Sequence, residues 1–281
     1  VKLKKMVISV ASGKGGTGKT TVAVSLAVAA GDLQLLDCDV EEPNAHIFIK
    51  PEQKKREPVY TMVPEVDEEK CTLCGRCREV CAYNAIAVLG KTVLVFPELC
   101  HGCGSCSYFC PESAIREIKK EIGFVESGIR DRIEFVRGNL KVGEAISPPL
   151  IKAAKKHIKP GATVIIDAPP GTSCPVIESI KGSDFCVLVT EPTPFGLHDL
   201  CLAVEVMRKL GIPFGAVINR CDIGNNLTTD YCKKENIPIL LELPFKREIA
   251  EVYSKGIPLV DALPEYRSKF LKLLERIERL Q

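Results

Sequence analysis

Residues 12–21, Ser12-Gly13-Lys14-Gly15-Gly16-Thr17-Gly18-Lys19-Thr20-Thr21, match the phosphate-loop pattern G-x-x-x-x-G-K-S/T from Gly13 to Thr20. An apolar run, Met6 to Val10, leads in and reads as a buried strand; a helical run, Thr21 to Ala30, leads out. Gly13, Gly15, Gly16 and Gly18 allow a tight curl whose successive N–H groups, with Thr17 among them, point at one anion. The helix that follows adds the positive end of its dipole. In this pattern Lys19 reaches the outer phosphates, Thr20 ligates Mg²⁺ through its hydroxyl, and Thr21 completes the first helical turn around the anion. A glycine-rich turn alone explains the glycines, but not a Lys-Thr pair in register at a helix start.

Working outward, Leu33 to Asp39 reads as a strand ending in two acids, Asp37 and Asp39. The connection before it is short, which predicts a stubby first helix. Further on, Ala162-Thr163-Val164-Ile165-Ile166-Asp167 is an apolar run ending in an acid, the Walker B pattern, in which Asp167 holds a Mg²⁺-bound water beside Thr20. Ala168-Pro169-Pro170-Gly171-Thr172 reads as a switch segment sensing the γ-phosphate. Strands at Ile133–Val136, Cys186–Thr190, Phe214–Asn219 and Ile237–Leu241 alternate with helical stretches at Leu150–Ile158 and Leu197–Leu210. Strand–helix alternation around a phosphate loop predicts an α/β fold with a doubly wound, mostly parallel sheet.

At 281 residues the chain can bury a full α/β core, with about 60 residues to spare for a small module. A hydrophobic content of 46% suits a globular protein, and a net charge of +2 gives no reason to expect a nucleic-acid partner. No apolar run reaches the roughly 18 residues of a membrane span. No signal peptide is visible where Lys2, Lys4 and Lys5 precede a short strand. Fourteen cysteines are many for such a chain, and eight lie between Cys71 and Cys110. With a nucleotide motif and no export signal, they point to metal clusters in a reducing cytoplasm rather than to disulfides.

Those eight cysteines form a repeat. Cys71-x2-Cys74-x2-Cys77-x3-Cys81 recurs as Cys100-x2-Cys103-x2-Cys106-x3-Cys110, with the same offset at all four positions, and that offset extends to Ala85-Ile86 and Ala114-Ile115. Each unit resembles the bacterial ferredoxin run that holds 4Fe–4S clusters. The resemblance implies one cluster on Cys71, Cys74, Cys77 and Cys110, and a second on Cys100, Cys103, Cys106 and Cys81. Pro111 follows the last cysteine as in that family, whereas Ala82 replaces it in the first unit. Zinc is the competing metal, but its sites pair two C-x2-C knuckles or include His and need no third and fourth cysteine at these offsets.

The full loop, with Lys14 before Gly15-Gly16-Thr17-Gly18-Lys19-Thr20, resembles the deviant phosphate loop of the MinD/ParA/Mrp ATPases and the nitrogenase iron protein. That resemblance implies an ATP-hydrolysing homodimer in which Lys14 reaches the partner's nucleotide. It also implies that Asp39 positions the attacking water, that Asp37 supports Mg²⁺ through its water shell, and that Asn219, with Arg220 beside it, reads the adenine edge near Leu243-Pro244-Phe245. Cys174, seven residues after Asp167, is near the place of a bridging cysteine in the nitrogenase iron protein, but residues 121–162 supply no second cysteine. Cys38, Cys186, Cys201, Cys221 and Cys232 read as core fillers. MinD proteins end in an amphipathic membrane helix; here Phe270, Leu273, Leu274 and Ile277 instead suggest a helix packed on the sheet.

Together these readings predict an ATPase domain of residues 1–57 and 119–281, interrupted at 58–118 by a ferredoxin-like α+β insert. The expected function is electron transfer through two clusters to a redox partner protein, driven by ATP and Mg²⁺. A cluster carrier or assembly scaffold, as in the Mrp branch, is the main alternative, and a MinD- or ParA-type spatial switch is the third.

Overall fold

The computed structural model describes residues 5–281, so Lys2 and Lys4 lie outside the described residues. The chain begins β1 (Val7–Ala11), α1 (Lys19–Ala30), β2 (Leu33–Asp37) and α2 (Ala45–Ile49). A long strand β3 (Glu52–Val66) leads to the cysteine-rich stretch, with α3 (Arg76–Glu79), β4 (Ile86–Leu89), β5 (Thr92–Val95) and α4 (Ser105–Tyr108). The long strand β6 (Ile115–Arg130) returns, followed by β7 (Ile133–Leu140), α5 (Pro148–Lys155), β8 (Val164–Asp167), α6 (Cys174–Ile180) and β9 (Phe185–Thr190). The remainder is α7 (Pro194–Leu210), β10 (Phe214–Asn219), α8 (Leu227–Lys234), β11 (Ile239–Leu243), α9 (Arg247–Ser254), α10 (Leu259–Ala262) and α11 (Glu265–Leu280).

The sheet order is β11-β10-β9-β1-β8-β2-β7-β6-β3. The first seven strands in that order pair in parallel, and β6 and β3 continue antiparallel. This is the doubly wound, mostly parallel sheet expected. The central strands carry near-continuous apolar runs because helices cover both faces. Helix α1, VAVSLAVAA after its first turn, is apolar all round and accordingly buried all round. It runs a full 12 residues, so the stubby helix expected is not found; only Gly31 and Asp32 separate it from β2.

Helix α11 lies on this body, with Tyr266, Phe270, Leu273, Leu274 and Ile277 buried in the same core as α1. Its apolar face is therefore already covered. Among the described residues no helix is long and apolar enough to cross a membrane.

Strands β3 and β6 pair from Glu52↔Ile129 to Val66↔Ile115, and only residues 123–130 of β6 also pair with β7. The outer part of the ribbon therefore projects past the sheet and carries the cysteine-rich stretch at its tip. The expected boundaries at 57/58 and 118/119 fall inside these two continuous strands. The polar composition from Pro51 to Lys70, read as a boundary, belongs largely to a strand that is exposed over its first seven residues. Its charge is that of a solvated ribbon, supported by contacts such as the Arg56 guanidinium 3.5 Å over the Phe124 ring.

The cysteine repeat is realised in three dimensions. Helix α3 begins directly before Cys77 and α4 directly before Cys106, the third cysteine of each unit, and the two helices are equally long. Asn84 and Ser113 both take positive φ, and the Ala85 and Ala114 amides donate to the Cys81 and Cys110 sulfurs at 3.3 Å in both halves. The buried core here is small: Cys77, Ile86, Cys106 and Ile115, with Val66, Val88, Val93 and Cys110 packed beside it.

Candidate functional site

The loop between β1 and α1 lies at the carboxyl end of the parallel strands, where a doubly wound sheet leaves its ligand crevice. The loop is held from behind on three sides. A Cβ on Gly13 would stand 2.3 Å from the Asp199 carbonyl oxygen of α7, so only glycine fits. Gly18 has φ 96° and ends the loop under the Asn219 amide, 2.6 Å from where a Cβ would be. The Gly171 amide donates to the Ser12 carbonyl at 2.9 Å, which joins the segment after β8 to the loop.

In front of the loop is a cavity of about 370 Å³. Its lining includes Gly15, Gly16, Gly18, Lys19, Thr20, Thr21 and Asp39 together with Asn219, Arg220, Pro244 and Phe245. The Arg220 guanidinium lies 5.6 Å from the Phe245 ring centre. Gly13 and Thr17 sit behind this lining; the Thr17 carbonyl accepts from Asn219 Nδ2 at 2.9 Å. Asn219 Oδ1 accepts from the Arg220 amide at 3.0 Å. Asn219 is thus a brace between the strand end and the phosphate loop, with one N–H and one lone pair left for a base.

Asp37 and Asp167 pair across neighbouring strands β2 and β8. Asp37 is fully buried and accepts from the Ala45 amide at 3.0 Å and the Asp39 amide at 3.2 Å. Burial, then the Asp167 charge, push its carboxyl well above the usual range. Asp167 is 1% exposed, and neither oxygen makes a well-formed hydrogen bond, with only the Thr20 hydroxyl beside it. Burial raises it to about 7, although Lys19 and Thr20 pull the other way. Two adjoining buried carboxylates, one of them without a well-formed hydrogen bond, form a donor set suited to a hard cation beside Thr20. Asp39 is the more accessible acid; burial lifts its carboxyl to about 6 against the pull of Lys19.

Lys14 does not line the cavity. Its ammonium is 3.6 Å from Glu191, a buried carboxylate that also accepts from Arg220 at 2.7 Å. Glu191, one residue past β9, went unnoticed in the sequence although it obeys the rule that picked out Asp39 and Asp167: an acid at the carboxyl end of a central strand. Helix α9 also escaped notice; it contributes Ile249, Ala250 and Tyr253 to the cavity.

In the cysteine module, Cys71, Cys74, Cys77 and Cys110 line one small cavity, and Cys81, Cys100, Cys103 and Cys106 line another. The fourth cysteine of each repeat therefore faces the other repeat's cavity. The cavities differ at the rim: Tyr83 and His101 stack at 3.6 Å beside the second, whereas no aromatic residue lines the first. Elsewhere Cys38, Cys186 and Cys232 are buried as expected, Cys201 and Cys221 are half-buried, and Cys174 is exposed at the start of α6.

Known proteins show the same relationships. The family model for the CobQ/CobB/MinD/ParA nucleotide binding domain matches residues 8–259. The uncharacterized protein MJ0578 of Methanocaldococcus jannaschii is 32% identical over 279 residues, 97% of this chain and 96% of that protein. An iron-sulfur cluster carrier protein of Pyrococcus horikoshii is 26% identical over 97% of this chain and 85% of its own length. The Pyrococcus furiosus cell division ATPase MinD superposes with a TM-score of 0.61 at 23% identity, covering 99% of this chain and 100% of that one. MinD from Pyrococcus horikoshii, in complex with Mg-ADP, gives 0.59 at 21% over 98% and 96%. At these identities the two structures speak to the fold alone. The chain belongs to the CobQ/CobB/MinD/ParA family of nucleotide-binding P-loop ATPases.

Proposed function

We propose that the chain is a homodimeric ATPase that passes electrons through two 4Fe–4S clusters to a partner protein, in the reducing setting of a cytoplasm. Residues 58–118 form its ferredoxin-like insert and residues 1–57 and 119–281 its nucleotide engine. The observation that carries this reading is the four-plus-four sorting of cysteines into two cavities, crossed between the repeats. Among the described residues no three His, Cys, Asp or Glu side chains converge as around a single ion. A cubane asks for something else, with one thiolate on each of four separated irons. Backbone amides already aimed at sulfur, such as Gly102 to Cys100 at 3.4 Å, suit a cluster's need for hydrogen bonds to its sulfurs. When bound, the clusters supply one-electron transfer.

On the engine side, Lys19 and the loop amides hold the phosphates, Thr20 and Asp167 hold Mg²⁺ with Asp37 behind them, and Asp39 orients the attacking water. The Arg220–Phe245 pair and the free edge of Asn219 face the base. Lys14 must leave Glu191 to reach a second copy's nucleotide, so dimer closure exchanges an internal ion pair for one between protomers. A carrier role is the second reading. It is favoured by the relatives named iron-sulfur cluster carrier protein and by the exposed Cys74 and Cys103.

Anaerobic purification with iron analysis and EPR tests the proposal. About eight irons per chain, reduced as two interacting centres whose signal changes with ATP, is the expected result. One iron or zinc site per chain overturns it, and rapid transfer of labelled cluster to an apo-ferredoxin selects the carrier role instead.

A further inference from the structure

A chain of contacts joins the nucleotide pocket to the cysteine module. Val40, directly after Asp39, is 1% exposed and its carbonyl accepts from the Leu140 amide at the end of β7 at 2.8 Å. The turn that follows is closed by the Glu144 amide donating to the Lys141 carbonyl, and it aims the Glu144 carboxylate at Lys120 of β6, 2.9 Å away. The same Lys120 ammonium is 3.6 Å from Glu98. Glu98 sits in the single helical turn, Pro97–Leu99, that delivers Cys100, whose amide donates to the Pro97 carbonyl. Side-chain exposures of 22% for Lys120 and 14% for Glu144 set this pair apart from a freely screened surface ion pair.

We infer that Lys120 is a strut that carries the nucleotide state of the Asp39 segment to the Cys100 turn of the cysteine module. The inference rests on the reading of the module as a cluster-holding insert coupled to ATP. Physically, any movement of residues 39–40 on nucleotide binding displaces Leu140 and the turn behind it. Glu144 then pulls on a lysine whose other partner is two residues from a proposed cluster ligand. The Cys71 set is attached differently, at the outermost pair of the ribbon, Val66 and Ile115, beyond the reach of this ion pair. The strut therefore acts on the Cys81, Cys100, Cys103 and Cys106 set.

Coupling between two sites is reciprocal: if the nucleotide shifts the reduction equilibrium, reduction shifts nucleotide affinity by the same factor. The test uses the anaerobic 281-residue chain with its iron loaded. Binding of a non-hydrolysable ATP analogue is measured to the oxidised and the dithionite-reduced forms, with the midpoint potential measured with and without analogue. For the unaltered protein the two affinities should differ by at least about fivefold. At about 59 mV per tenfold for one electron, that is a shift of about 41 mV.

Lys120→Met should bring the ratio within about twofold of one, and Lys120→Arg should keep it. A ratio of one in the unaltered protein sinks the coupled reading and the strut with it. A fivefold ratio that survives Lys120→Met sinks the strut alone. If Lys120→Met fails to load iron, Glu98→Gln, at a side chain 57% exposed, gives the same decision from the module side.

Discussion

The phosphate loop and the cysteine module are both built to surround a charged group, and they do so in opposite ways. The loop is tied to the body around it: Gly13 packs against Asp199, Asn219 and Gly171 hydrogen-bond to it, and it stands on a core in which Ile8, Val10, Leu26, Leu35 and Ile165 are buried. The module's buried cluster has four residues, two of them cysteines, with only Ala85 and Ala114 buried besides. A core that small cannot offset the conformational entropy of ordering the whole stretch 67–114, at roughly 1–2 kcal/mol per residue for the backbone alone. On the proposed reading, its order comes largely from the clusters that the thiolates would hold. On that reading one half meets its ligand with a site already shaped, and the other is completed by its ligand.

Withdrawing iron is the strongest way to break that contrast. Amides 71–114 should then exchange hydrogen nearly as fast as an unfolded chain, while those of β1 and β8 keep their protection. Equal protection throughout would show that the module folds unaided. Next in size, Lys19→Ala should lower ATP hydrolysis by about 10²–10³-fold while leaving iron content unchanged, with only a small fall in melting temperature from losing the cation beside Asp167 and Asp39, because the loop's shape is set by its braces. A matching loss of stability would mean that Lys19 is part of the scaffold.

The acids of the nucleotide half give smaller, graded effects. Asp39 acts as a carboxylate, and its acid form persists up to about pH 6. Below that value kcat/KM should fall about tenfold per pH unit; a profile flat down to about pH 5 removes Asp39 from the water-positioning role. The smallest effect concerns Asp167. Its carboxyl is raised from 3.8 to about 7 on folding, so the native state binds the proton more tightly than the unfolded chain. Without Mg²⁺, stability should therefore fall as pH rises from about 4 to about 7 and then level off. Asp167→Asn should make that slope shallower, leaving the part due to Asp37 and Asp39, whose carboxyls burial also raises, and should raise the Mg²⁺-free melting temperature at about pH 8 by several degrees, at the expense of stabilisation by Mg-nucleotide. An unchanged slope would place the titrating group elsewhere.

The engine was legible because its signals are local. Gly13 to Thr20, Asp167 and the apolar runs around them need only neighbouring residues to be recognised, and the burial of β1, β2, β8 and β9 followed from their composition. The long ribbon was not legible. Strand β3 is exposed on both faces over its first seven residues, so no alternation of apolar and polar residues marks its start. Its pairing with β6 joins Glu52 to Ile129, across the whole cysteine-rich stretch, and no local pattern announces a partner so distant along the chain. Glu191 was missed because its meaning lies in Lys14 and Arg220, which are remote in sequence and meet only in the fold.

By itself the sequence determined the chemistry on offer: an anion-binding loop, acids at strand ends, and two identically spaced runs of four cysteines. Those are matters of residue type and spacing along a chain. Tertiary structure alone decided which groups are spent and which are free. It committed Asn219 to bracing the loop, left Asp167 without a well-formed hydrogen bond, sent Lys14 to Glu191, and sorted Cys81 and Cys110 into each other's cavities. Hydrogen bonds, burial and charge pairing depend on distance in space, which residue order does not carry.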